Sequence, residues 1–214
     1  MAGLPDSDAL RAPTERGEAM QARLVEATIA SIAQDGLAGA SIEKITRRAG
    51  VSRGLVRHYF GAKSNLLAEA FRRLAQDFRE MLGMDLTGAP EDDRAAELRL
   101  RQSILPMFER LAPAPDRQYA WFGFWALARS EPEIERLNHK LYEEIVEYLG
   151  GQVADIAGRR GVRVDAGAAG RGLAAMMEGA WVHGIIGVEG MSVAEAQRLS
   201  LDYAARLLGG ELAC

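Results

Sequence analysis

Apolar residues recur three and four positions apart along most of the chain, which is the spacing of one face of an α-helix. Glycine, proline and short acidic runs separate these periodic segments, and no segment shows the pattern of a β-strand. The pattern therefore predicts an all-α protein of about nine helices. The predicted helices cover residues 18–35, 41–49, 52–60, 64–82, 94–112, 117–129, 130–160, 165–188 and 192–207.

Residues 41–63, SIEKITRRAGVSRGLVRHYFGAK, predict two short helices joined by a tight turn. Ser41 can cap the first of them, and Gly50 can end it because glycine adopts the left-handed conformation that follows many helices. Ser52 can open the second helix, which would contact the core through Val56 and Phe60. The two helices form a helix-turn-helix outline.

The outward face of the second short helix carries the candidate DNA-reading residues. A helix of this size fits the major groove of B-DNA, and the Arg53 guanidinium can pair with O6 and N7 of guanine. Lys63, beside the start of the fourth helix, can reach a phosphate. The alternative is an ordinary helical corner that touches no nucleic acid. The predicted DNA-binding residues are Ser41, Ser52, Arg53, Gly54, Leu55, Arg57, His58, Tyr59 and Lys63.

A longer motif covers the same stretch. Its members are Ile45, Ala49-Gly50-Val51-Ser52, Gly54, His58-Tyr59-Phe60, Lys63 and Leu66-Leu67. The order resembles the DNA-binding domain of the TetR family of bacterial transcriptional repressors. The sequence departs from the family pattern at Thr46, where a small residue is usual, and at Arg57, where tyrosine is frequent; Arg57 can still hold a phosphate. The resemblance implies a repressor of double-stranded operator DNA.

The distribution of charge supports a division into a small head and a larger body. Residues 18–65 carry seven Lys or Arg against four Asp or Glu, net +3, and residues 66–214 carry seventeen against twenty-three, net −6. A basic head can meet phosphates, whereas an acidic body is poorly suited to DNA or to an anionic membrane. We predict a disordered arm at 1–17, a helix-turn-helix domain at 18–65, and a ligand-binding and dimerisation domain at 66–214.

The sequence favours a cytoplasmic protein. Its single cysteine, Cys214, allows no disulfide within one chain, which suits a reducing compartment. The longest uncharged run, residues 118–128, is far shorter than the roughly 20 residues that span a bilayer. The N-terminus lacks a signal-peptide pattern. We therefore expect no membrane partner.

The sequence gives no support for an enzyme. The histidines, His58, His139 and His183, have no Glu or Cys partners at the spacing of a zinc site. Walker, G-x-S-x-G and strand-borne G-x-G-x-x-G patterns are missing as well. No cofactor and no metal are expected. A helical protein-interaction adaptor that does not bind DNA is the alternative function.

The helix predicted at 165–188 is rich in glycine, although each glycine costs about 1 kcal/mol against alanine within a helix. Close approach of another helix, or room for a ligand, would offset that cost. In the TetR family the last two helices form a four-helix bundle with a second subunit. The resemblance therefore implies a homodimer that binds an inverted repeat, and tight packing within one subunit is the alternative.

Two segments of the body resemble the BetI-type regulators of the TetR family, which respond to choline. They are residues 121–126, followed by Ser130-Glu131-Pro132, and residues 173–181. Aromatic faces attract a quaternary ammonium, and a carboxylate one helical turn away can balance its charge. The alternative is that these rings simply fill the core. The predicted ligand-binding residues are Trp121, Trp125, Tyr142, Glu178 and Trp181.

Overall fold

The computed structural model describes residues 15–86, 88–111, 115–186, 191–210 and 212. Within these ranges the chain forms nine α-helices, one short 3-10 helix at Gly36–Ala40 and no strand. The all-α prediction is confirmed. The helices are α1 Glu15–Asp35, α2 Ile42–Ala49, α3 Arg53–Phe60, α4 Lys63–Leu82, α5 Asp93–Leu111, α6 Pro115–Ala128, α7 Pro132–Arg159, α8 Ala166–Ile186 and α9 Val193–Leu207.

The head consists of α1, α2 and α3, held together by a small buried core. The Ser41 hydroxyl accepts a hydrogen bond from the backbone N–H of Lys44 at 3.3 Å and caps α2 as predicted. Gly50 ends α2 with a φ of +62°, which a residue with a side chain rarely adopts. Ile45 of α2 and Val56 of α3 are buried between the helices. The local sequence therefore fixes the angle at which α3 leaves the turn.

Three helices were predicted to start at serines, Ser52, Ser64 and Ser130, and each starts at a neighbouring position instead. Ser52 occupies the position before α3, but its side chain makes no capping hydrogen bond. α4 begins at Lys63, so Ser64 lies inside it. α7 begins at Pro132, because proline is preset for the first helical position, and the Ser130 hydroxyl donates to the carbonyl oxygen of Leu127 instead. The starts of these three helices therefore differ from the prediction by one or two residues, while the existence of each helix was predicted correctly.

The predicted N-terminal arm, residues 1–17, is partly wrong. Residues 15–17 belong to the first turn of α1. Residues 1–14 lie outside the described residues. The predicted end of the fifth helix, residue 112, also lies outside them, and α6 begins at Pro115 rather than at the predicted residue 117.

Two glycines bring α7 and α8 together. A Cβ atom on Gly170 of α8 would overlap the carbonyl oxygen of Val146 and lie 2.9 Å from the backbone nitrogen of Gly150. A Cβ atom on Gly150 would overlap the carbonyl oxygen of Ala166. Gly150 does not interrupt α7, which continues as one helix from Pro132 to Arg159. These glycines serve close helix packing within one subunit.

α4 and α6 connect the head to the body. α4 packs against α1 and α3 on one side and against α5 and α7 on the other. α6 packs against α1, where a Cβ atom on Gly123 would overlap the side chain of the fully buried Ile32. Arg117 of α6 also forms ion pairs with Glu26 of α1, at 3.0 Å, and with Asp77 of α4. Both helices are thus fixed to the head.

Candidate DNA-binding and effector sites

The outer face of α3 is open to solvent. Arg53, Gly54, Arg57 and His58 are exposed, as are Ser52 before the helix and Lys63 after it. Leu55 and Tyr59 are half-buried, and the Tyr59 ring contacts the His58 ring edge to face with centroids 4.8 Å apart. Ser41 is half-buried and is used in capping α2. The nine predicted residues therefore share one end of the head, with different degrees of exposure.

The cations of this face divide into three groups. Lys44 and Arg48 brace the head, through an ion pair with Asp35 at 3.0 Å and a hydrogen bond to the Ser31 hydroxyl at 3.0 Å. Arg47 and Arg53 both contact Glu43. Arg57 and Lys63 have no acidic partner within the part of the chain that the structure describes. They are therefore available for phosphates without breaking an ion pair among those residues.

The body contains a half-open cavity of about 340 Å³ between α4, α5, α6, α7 and α8. This volume lies in the range of small-molecule sites. The cavity is lined by all five predicted ligand-binding residues, which are Trp121, Trp125, Tyr142, Glu178 and Trp181. Side chains from three helices that are distant in the sequence thus meet around one space.

The aromatic walls of the cavity form a continuous cluster. The rings of Trp121 and Trp125 lie 6.3 Å apart, and those of Trp125 and Trp181 lie 6.1 Å apart in an edge-to-face arrangement. Trp181 stacks on Phe122 from the other side, with centroids at 5.6 Å. Phe78 of α4 meets Trp121 edge to face at 5.6 Å. The tryptophans therefore both fill the core and line the cavity, so the two interpretations of the aromatic residues are compatible.

Glu178 is the one charged residue among the described residues that line the cavity. It forms no hydrogen bond or ion pair with any described residue. Partial burial raises the pKa of the Glu178 carboxyl above its ordinary value, because the charged form loses hydration. The Trp181 indole N–H is buried without an acceptor among the described residues. A carboxylate with no countercharge and an unused donor therefore lie at this cavity.

The sequence prediction missed most of the apolar lining and one polar residue. Asn138 lies one turn before Tyr142 on α7, so its helical spacing from the predicted aromatic residue could have indicated it. The apolar residues gave no signal that separates a cavity wall from ordinary core. The missed lining residues are Phe78, Leu82, Met107, Asn138, Leu141, Ile145, Leu149, Ala174 and Met177.

The described ranges contain neither a candidate metal site nor a candidate membrane-spanning helix. His, Cys, Asp and Glu side chains there form no group of three or more that could hold a metal ion. The helices in those ranges include none with the length and apolar character needed to cross a bilayer.

Two family models match the chain. The model for the C-terminal domain of BetI-type transcriptional repressors matches residues 96–209, and the model for bacterial regulatory proteins of the tetR family matches residues 24–70. The chain is 32% identical over 186 residues to the HTH-type transcriptional regulator BetI 2 of Chromohalobacter salexigens, covering 87% of each. It is 30% identical over 195 residues to BetI of Paraburkholderia phymatum, covering 89% of this chain and 94% of that one.

Solved structures show the same fold. A transcriptional regulator from Pseudomonas aeruginosa PAO1 superposes with a TM-score of 0.78 at 28% identity, covering 90% of this chain and 92% of that chain. A regulator from Saccharomonospora viridis, solved in complex with choline, superposes with a TM-score of 0.70 at 23% identity, covering 87% of this chain and 95% of that chain.

Proposed function

Because this chain belongs to the TetR family and carries a BetI-type C-terminal domain, it is a DNA-binding transcriptional repressor controlled by a small molecule, and we propose that a quaternary ammonium cation is its effector. Choline is the representative of that class in a structural relative, the Saccharomonospora viridis regulator. The observation that carries the proposal is a cavity with three tryptophans and one carboxylate that lacks a countercharge. The adaptor alternative has no comparable support.

The chemistry of the cavity suits a large, weakly hydrated cation. A quaternary ammonium donates no hydrogen bonds, so it needs apolar and aromatic surface rather than polar partners. Each aromatic face in contact with it contributes about 0.5 to 2 kcal/mol. The Glu178 carboxylate supplies the balancing charge, while Asn138 and Tyr142 offer hydrogen bonds to a hydroxyl group at the other end of the ligand. An anion would meet no cation among the described lining residues.

The proposed DNA contacts are divided between base and backbone. Arg53 reads a guanine in the major groove, and Arg57 and Lys63 hold phosphates. Ser52, Gly54, Leu55, His58 and Tyr59 complete the contact surface. The exposure of the charged residues and the absence of acidic partners for Arg57 and Lys63 within the described ranges support this assignment.

The proposed homodimer uses α8 and α9. Small residues of α9, namely Ala196, Ser200 and Ala204, face inward, whereas the larger Leu199 and Tyr203 are half-exposed. On α8, Gly179 faces open space. A second subunit would cover this apolar face. The two heads of the dimer then lie one helical turn of DNA apart, roughly 34 to 36 Å, or a whole multiple of that distance. Because the two subunits are related by symmetry, the operator is an inverted repeat.

Effector binding reaches DNA through two helices. α4 contributes Phe78 to the cavity and packs against α3, and α6 contributes Trp121 and packs against α1. A ligand shifts DNA affinity only by binding two conformations unequally, and such couplings are typically about 1 to 3 kcal/mol. A cation that moves α4 or α6 changes the separation of the two α3 helices, so the repressor leaves its operator.

Titration with choline tests the effector. All three tryptophans of the chain line the cavity, so saturable binding should change the intrinsic fluorescence. The matched control is 3,3-dimethylbutan-1-ol, which has the shape of choline without its charge and should bind far more weakly. Choline should also release the protein from its DNA. If millimolar choline leaves both the spectrum and DNA binding unchanged, the protein can still be a repressor, but choline is excluded as its effector.

A further inference from the structure

Glu43 places a carboxylate on the face of the head that is proposed to meet DNA. It is the only acidic residue between Asp35 and Glu69, a stretch that contains six Lys or Arg. One carboxylate oxygen lies 3.2 Å from Nη2 of Arg53, and the other lies 3.3 Å from Nη2 of Arg47. The Glu43 side chain is 63% exposed. It therefore joins α2 to the proposed base-reading residue of α3.

A carboxylate at this position opposes binding to any DNA. It repels phosphates within the roughly 8 to 10 Å over which charges act at ordinary salt. It also occupies the guanidinium that would otherwise bind a phosphate. The question is therefore whether Glu43 weakens binding to all DNA equally, or weakens binding to unrelated DNA more than binding to the operator.

The cost of separating Arg53 from Glu43 depends on what Arg53 meets. At guanine, O6 and N7 accept two hydrogen bonds from the guanidinium, which replaces the ion pair with a better partner. At another base the two acceptors are not available together, and a move of Arg53 to a nearby phosphate has to break the ion pair with Glu43. The ion pair is exposed and weak, so guanine can displace it.

We propose that Glu43 is a positioning residue for sequence specificity, which holds Arg53 away from phosphates until guanine replaces the carboxylate. This inference rests on the proposed contact of Arg53 with a base. Without Glu43, Arg53 binds phosphates at any sequence, so affinity for unrelated DNA rises more than affinity for the operator. The residue thus lowers affinity and raises discrimination.

The test compares wild-type protein with Glu43→Gln, which keeps the shape and removes the charge. The probes are the duplex that the wild type enriches from a randomised library and a scrambled duplex of the same composition. The ratio of the two affinities should fall about two- to fivefold, the effect of one exposed ion pair. The salt dependence for the scrambled duplex should steepen by about one phosphate contact, while that for the enriched duplex stays the same.

Asp155→Asn is the matched control, because Asp155 forms an exposed ion pair with Arg159 on α7, away from the head. It adds the same charge and should leave the affinity ratio unchanged. The double variant Glu43→Gln, Arg53→Ala should show no further loss of discrimination beyond Arg53→Ala alone. That result separates action through Arg53 from a general electrostatic effect.

Several results would overturn the inference. If Glu43→Gln weakens both duplexes equally and lowers the melting temperature, Glu43 only stabilises the start of α2. If it weakens the enriched duplex alone, Glu43 contacts a base itself. An unchanged ratio, with Arg53→Ala still relaxing base preference, rejects the role of Glu43 and keeps the proposed DNA contacts. If wild type enriches no duplex or Arg53→Ala relaxes nothing, the base contact of Arg53 fails and this inference with it.

Discussion

In the head, the residues proposed to contact DNA come from one continuous stretch, residues 41–63, and most of them are exposed. In the body, the cavity is lined by residues of five helices, and many of these residues are also part of the core. Substitutions on the head should therefore change DNA binding without changing stability. Substitutions around the cavity should affect folding and effector binding together, since the same side chains serve both.

The largest expected effect concerns the body and its helix packing. Gly170→Ala places a methyl group against the backbone of α7, which cannot yield as a flexible side chain would. We expect a loss of about 3 kcal/mol in the free energy of unfolding, measured by urea denaturation. Gly151→Ala on α7 is the control, because Gly151 is exposed and nothing lies within 4 Å of its added methyl. It should be neutral or stabilising, and equal losses in both variants would contradict this packing.

Arg53→Ala tests the independence of the head. Operator affinity should fall by about 1 to 3 kcal/mol, and base preference should relax at one position in each half-site. The melting temperature should stay the same, because the side chain is 68% exposed. Lys63→Ala should instead weaken binding to all sequences and reduce the salt dependence. Equal loss of base preference in the two variants would reject the division into base and phosphate contacts.

Phe78→Ala tests the connection between the two regions. The Phe78 ring lines the cavity from α4 and contacts Trp121, so its loss should reduce the coupling between choline and DNA by about 0.5 to 2 kcal/mol. Choline and DNA should each still bind when tested alone. Fluorescence titrations with and without operator DNA measure the coupling. Unchanged release of DNA by choline would show that α4 does not carry the signal.

The smallest effect is the pH dependence of choline binding. Because burial raises the pKa of the Glu178 carboxyl, protonation removes the balancing charge as pH falls through that raised value. Choline affinity should therefore decrease on acidification, by at most about tenfold per pH unit. Glu178→Gln should bind choline weakly at every pH, without this dependence. A wild-type affinity that stays constant from about pH 8 down to about pH 4.5, the ordinary pKa of a glutamate, would contradict the role of Glu178.

The ionised Glu178 carboxylate, which favours choline binding, should destabilise the folded protein because it is partly buried. A pKa raised in the folded state means that the stability linked to protonated Glu178 is complete below the unfolded value and is lost as pH rises through the folded value. At neutral pH, Glu178→Gln should therefore raise the melting temperature while it weakens choline binding. A lower melting temperature would indicate that Glu178 makes a stabilising contact.

Local features could be predicted from the sequence because each depends on a few neighbouring residues. The cap at Ser41 and the left-handed end of α2 at Gly50 are examples. The side of each helix that faces its neighbours was harder to predict from the sequence. On α9 the polar Ser200 is buried while the apolar Leu199 is half-exposed, because packing between helices decides which side of a helix turns inward.

The lining of the cavity could also be predicted only in part. Helical spacing selected its aromatic and acidic residues, since these side chains carry chemistry that can be recognised alone. The apolar lining, such as Leu149 and Met177, could not be separated from core by spacing. Whether a buried apolar side chain faces another side chain or an empty volume depends on how several helices meet.

The contact between Gly123 of α6 and Ile32 of α1 has a consequence for how such proteins can be recombined. A head cut out at residue 65 would lose α6 and expose Ile32, so it should fold poorly by itself. A chimera that joins this head to the body of a relative needs a compatible α6 surface as well as a junction at the right residue. A head and a body that share such a contact therefore have to match each other, although their boundary looks simple in the sequence.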